Sequence, residues 1–73
     1  MGIDHPLKAY RARARLTQLK LSELLGVSRT TVARWEARTR QVDRDLLQAV
    51  SDKTGIPKRD LRPDLAELVG GVQ

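Results

Sequence analysis

Seventy-three residues suffice for one small domain with one small core, which excludes a multi-domain enzyme. With no cysteine and a single histidine, His5, the chain excludes disulfides, thiolate zinc sites and thiol catalysis, and no cofactor is expected. Residues 1–40 carry nine cations and three anions, residues 41–73 five cations and six anions, and ten of the fourteen cations are arginine, which points to nucleic acid ahead of an acidic protein or an anionic membrane.

Helical spacing recurs along the chain and sustained period-2 alternation is absent, so an all-α architecture of about five short helices is expected. Asp4-His5-Pro6 resembles a cap followed by an early-helix proline. Leu7, Tyr10 or Arg11, and Ala14 then fall at i, i+3/i+4, i+7 in a first helix reaching about Leu16. Thr17 caps a second helix from Gln18, with Leu21, Leu24 and Leu25 on one face, and Gly26 stops it. Ser28 is the next N-cap, and Val32 and Trp35 form the inner side of a third helix ending near Ala37. Asp43 and Asp45 suit the positive end of a fourth helix, which carries Leu46, Leu47 and Val50 inward and stops at Gly55. Pro57 opens a short fifth turn to about Leu61. Past Pro63, residues 64–69 read as one more helical turn and residues 70–73 as a frayed end. Residues 1–73 thus form a single domain with a core of about 6–62 and a C-terminal tail of 63–73. No stretch approaches the ~18 apolar residues of a membrane span and residues 1–10 lack a signal-peptide apolar run, so the expected location is cytoplasmic, at the nucleoid.

Residues 18–37 meet the steric demands of a helix-turn-helix. Two helices crossing steeply through a tight turn need a small residue at the crossing, glycine in the turn and apolar residues inside. Ser22, Gly26 and the set Leu25, Val27, Val32 and Trp35 fill those places. The run Leu-Thr-Gln, Leu-Ser and Leu-Gly-Val-Ser-Arg-Thr-Thr-Val-Ala-Arg-Trp-Glu resembles the Cro/repressor-type (Xre-like) helix-turn-helix family, over roughly Leu7 to Leu61. The resemblance implies a lambda-repressor-like bundle that binds operator DNA as a dimer with its third helix in the major groove. It also implies a phosphate contact for Gln18 and a partly buried, structural ion pair between Arg11 and Glu36. The chain departs from the family pattern after Ala37, with Arg38 where glycine is common and Gln41-Val42 where proline follows.

With Val32 and Trp35 inward, Arg29, Thr30 and Arg34 point away from the core and are the expected base readers. Arginine can chelate guanine O6 and N7, and the threonine methyl can pack on a thymine methyl. The competing reading of each arginine is a phosphate contact or a solvated charge. Backbone contacts are expected from Gln18, Lys20, Ser28, Thr31, Arg38, Arg40 and Arg44, Ser28 being first of all a cap. Arg13 and Arg15 are weaker candidates, while Lys53, Lys58 and Arg59 read as ordinary surface charges. Trp35 lies on the apolar stripe and reads as core. Tyr10 and Trp35 alone make no stacking surface for single strands, and no nucleophile, histidine and carboxylate cluster supports catalysis. Leu61, Leu65, Leu68 and Val69 either close the core or form a dimer contact, the latter favoured because the core is small. The expected function is a sequence-specific double-stranded DNA-binding transcriptional regulator, a homodimeric repressor on a pseudo-palindromic operator. The alternative is an antitoxin whose C-terminal segment neutralises a partner toxin.

Overall fold

A computed structural model of the chain describes residues 4–65. The elements in order are α1 (Pro6–Ala14), α2 (Gln18–Leu25), α3 (Arg29–Glu36), α4 (Arg44–Thr54) and α5 (Lys58–Leu61). Residues 63–65 are helical again, and there is no strand among the described residues. None of these helices is long and apolar enough to cross a membrane.

Each of the first three helices starts where a side chain fills an orphan backbone donor. His5 Nδ1 accepts the Leu7 N–H at 3.1 Å ahead of α1, and Pro6 occupies a first-turn position where no N–H is needed. Thr17 Oγ1 accepts the Lys20 N–H at 3.0 Å, and Ser28 Oγ accepts the Thr31 N–H at 3.1 Å. Asp43 stands at the N-cap of α4 without a side-chain bond, so it and Asp45 favour that end through charge alone.

The first three helices also end in a common way. A left-handed residue, directly past α1 and α2 and one position further on at α3, where Ala37 stays right-handed, lets the next N–H reach back five residues to close the final turn. Val27 N–H donates to the Ser22 carbonyl at 3.0 Å after Gly26, whose φ is 74°. At α1 the left-handed residue is Arg15, φ 58°, with Leu16 N–H on the Arg11 carbonyl at 2.9 Å. That turn ends α1 at Ala14 rather than near Leu16 and leaves Ala14 exposed, not inward. At α3 it is Arg38, φ 62°, with Thr39 N–H on the Arg34 carbonyl at 3.1 Å. Arg38 thus holds the backbone conformation that glycine adopts most readily.

Leu7, Leu21, Leu25, Val32, Trp35, Val42, Leu47, Val50, Ile56 and Leu61 form the core, with Tyr10, Leu16, Val27, Leu46 and Leu65 packed against it. Val42 and Ile56 enter from connections between helices and were not expected inside. Leu24 departs the other way and is 43% exposed. The buried stripe of α2 is Leu21, Ser22 and Leu25, which leaves Leu24 on its rim. Trp35 is fully buried, its indole Nε1 without an acceptor among the described residues.

The expected dimer contact must be corrected at Leu61, which is only 4% exposed because α5 folds it into its own core. Leu65 is half-buried against that core, while Leu68 and Val69 lie outside the described residues, as does most of the segment assigned to a toxin contact.

Candidate nucleic-acid interface

The orientation of α3 follows from two side chains. Val32 and Trp35 are fully buried in the same cluster as Leu21 and Leu25 of α2. The helices approach closely because Ser22, 2% exposed, is small and returns its hydroxyl to the Leu19 carbonyl at 2.6 Å instead of leaving it unpaired. With that face locked, Arg29, Thr30 and Arg34 are exposed, and none of their side chains has a hydrogen-bond or ion-pair partner among the described residues. Ala33 and Ala37, four and eight residues beyond Arg29, continue the same outer face with methyl groups. Their spacing of four and eight from Arg29 is the sequence signal that marks them.

At the start of α2 an open groove of about 600 Å³ is lined by Arg11, Leu16, Thr17, Gln18, Leu19 and Arg29. It brings together Gln18, the expected phosphate contact, and Arg29, the first expected base reader. Its floor is tied by the pair Arg11 and Glu36. Arg11 Nε donates to Glu36 Oε2 at 2.8 Å, Nη2 to Oε1 at 2.9 Å, and Nη1 to the Leu16 carbonyl at 3.1 Å. The arginine side chain is 19% exposed and the glutamate 5%. Burial pushes the Glu36 carboxyl up, but hydrogen bonds from Arg11 and Gln18 and the Arg11 charge outweigh it and hold the group below its ordinary value. Gln18 belongs to this network because its Nε2 donates to Glu36 Oε1 at 3.1 Å. One amide N–H of Gln18 is therefore committed inward, leaving the other and the carbonyl oxygen for a ligand.

The remaining expected backbone contacts fall into three settings. Lys20 is exposed and lies 3.7 Å from Glu23. Ser28 and Thr31 share a 2.9 Å hydroxyl hydrogen bond, so both act first in capping α3. Arg38, Arg40 and Arg44 occupy the α3–α4 connection and the first position of α4, all exposed, with Arg40 Nη2 3.4 Å from Asp43 Oδ1. This connection is anchored at one end by the Arg34 carbonyl. That oxygen accepts from Thr39 N–H at 3.1 Å, Arg40 N–H at 3.3 Å and Thr39 Oγ1 at 3.3 Å.

Two lysines take partners that spacing does not reveal. Lys53 Nζ donates to the Leu24 carbonyl at 3.1 Å, joining α4 to the last turn of α2, and Lys58 Nζ donates to Gln48 Oε1 at 2.6 Å. The partners are 29 and 10 residues away, so only folding brings them together.

A protein-family model described as Helix-turn-helix matches residues 7–61, while no curated protein and no solved structure matches the chain.

Proposed function

The chain belongs to the Cro/repressor-type helix-turn-helix family of DNA-binding transcription regulators, and from that premise we propose that it is a sequence-specific repressor acting as a homodimer. The observation that carries the reading is the outer face of α3. Arg29, Thr30 and Arg34 stand exposed, their side chains without a partner among the described residues, on a helix whose inner face is locked by Val32 and Trp35. A long, charged, unpartnered row on a rigid helix is what a major groove accepts. Arg29 and Arg34 chelate guanine, and Thr30 meets a thymine methyl or a base edge. Gln18, Lys20, Arg38, Arg40 and Arg44 take the phosphates on either side, with Ser28 and Thr31 contributing through hydroxyls that first cap the helix. Two copies place their α3 helices about 34 Å apart on a pseudo-palindromic operator.

Fluorescence anisotropy at about 150 mM salt, on the DNA upstream of the gene and on a scrambled duplex of equal length, tests the reading; a preference of about 10³-fold or more is expected. Arg29→Ala should lose about 1–3 kcal/mol on the operator and relax preference at one base pair, whereas Arg40→Ala should weaken both duplexes alike and make the salt slope shallower by about one. Equal losses on both duplexes for Arg29→Ala would remove it from the readers.

A further inference from the structure

Arg62 follows directly on the last residue matched by the family model, and nothing in its local sequence distinguishes it from its neighbours. In the fold its guanidinium, like that of Arg11, donates from all three nitrogens. Nη1 donates to the Val42 carbonyl at 2.6 Å, Nε to Asp64 Oδ1 at 3.0 Å and Nη2 to Asp64 Oδ2 at 2.8 Å. Its side chain is 14% exposed. Three of its five N–H donors are taken by protein and the side chain is largely covered, so this arginine is poorly placed to reach a phosphate itself.

The bond to Val42 lands on the α3–α4 connection. One end of that segment is held by the Arg34 carbonyl, as described above, and the other by the buried Val42 side chain together with the Arg62 bond. Arg40 sits at the edge of the first anchor, its own N–H on the Arg34 carbonyl at 3.3 Å, and Gln41 alone separates it from Val42, both residues being exposed. We propose that Arg62, aimed by Asp64, is a positioning residue for DNA-backbone binding: it fixes the Val42 carbonyl and so sets where the α3–α4 connection presents Arg40 to a phosphate. The role rests on the DNA-binding reading given above. A charge-assisted bond to a carbonyl from a bidentately held guanidinium is short and strongly directional, which suits it to fix a backbone position rather than merely to pack. The clasp also ties residues 62–64 to the α3–α4 connection.

The test is duplex binding by the full chain and its Arg62→Met and Asp64→Asn variants, alone and combined with Arg40→Ala, as a function of salt, with affinities corrected for the folded fraction from thermal melts. Arg62→Met should weaken binding about tenfold at 150 mM salt, on operator and scrambled DNA alike, with a salt slope shallower by about one. Asp64→Asn, which keeps the arginine and its charge, should move affinity in the same direction by less, and carries the test if Arg62→Met does not fold. In the Arg40→Ala background the loss from Arg62→Met should largely vanish, because the contact it positions is gone. Tighter binding by Asp64→Asn would overturn the proposal in favour of a direct phosphate contact by a released Arg62. A lower melting temperature with unchanged affinity and salt slope in the folded protein would overturn it in favour of a purely structural clasp. If the unaltered chain binds no duplex even at low salt, the DNA-binding reading itself falls, and this role with it.

Discussion

His5 concentrates more structural consequence than a lone histidine near the N-terminus suggests. It is 7% exposed, and its Nδ1 must be unprotonated to accept the Leu7 N–H and cap α1. Burial, with the Arg38 charge adding to it and Glu36 opposing it, lowers its pKa below the ordinary 6.5. The unfolded chain therefore binds the proton first as pH falls. The stability that neutral His5 confers is complete above pH 6.5 and is lost as pH drops from there through the folded value. Thermal melts from about pH 7.5 to about pH 5 should show a falling Tm for the natural chain and a flatter profile for His5→Asn, which keeps a capping oxygen that does not titrate. Parallel profiles would show that the cap is not the titrating element. The Asp4-His5-Pro6 pattern made a cap legible in the sequence. Which atom does it, and that Arg38 and Glu36 lie close enough to bias its charge, depends on residues more than 30 positions away.

At the level of helices, starts were more legible than ends. A side-chain oxygen at Thr17 or Ser28 advertises an N-terminus, whereas a left-handed closing residue is advertised only when it is glycine. Gly26 was readable for that reason; Arg15 and Arg38, in the same conformation, were not. A methyl group at Gly26 would meet nothing within 4 Å, so its requirement is purely one of backbone conformation. Gly26→Ala is thus expected to destabilise by about 1 kcal/mol, lowering Tm by roughly 4–8 °C in a domain of this size. Arg15→Gly should act in the opposite direction and by less, because relief of the left-handed strain is partly offset by the greater freedom of glycine in the unfolded chain. A Gly26→Ala chain as stable as the original would show that the helix-turn-helix corner does not depend on this conformation. Leu24 shows the same limit for the helix face: i+3 spacing placed it with Leu21, but the actual burial stripe is narrower and shifted.

Across the molecule, the excess positive charge of residues 1–40 lies on the same segment as the helix-turn-helix, and α4 and α5 supply core residues behind it. Closing the core consumes Leu61 and half-buries Leu65, which leaves less apolar surface for self-association than four evenly available side chains would. For the proposed homodimer, a contact through the tail is expected to need residues past Leu65. Sedimentation should find the full chain dimeric and a chain ending at Leu65 monomeric, the latter keeping the Arg62 clasp and the core intact. A truncated chain that is still dimeric would place the contact on the helical body.

Composition, spacing and turn chemistry by themselves determined that the described residues are all-helical, where their five helices begin, and that residues 18–37 make a helix-turn-helix whose outer face bears Arg29, Thr30 and Arg34. Those properties are local, set by periodicity and by the few side chains that cap a helix or permit a left-handed turn. The tertiary structure alone decided that Gln18 shares Glu36 with Arg11, that Val42 and Ile56 complete the core, that Leu61 is spent inside it, and that Arg62 rather than Arg40 or Arg44 is withdrawn from solvent. Each of these depends on which partner the folded chain brings within reach, a long-range choice governed by packing and by the need to pair buried polar groups, and spacing along a sequence does not encode it.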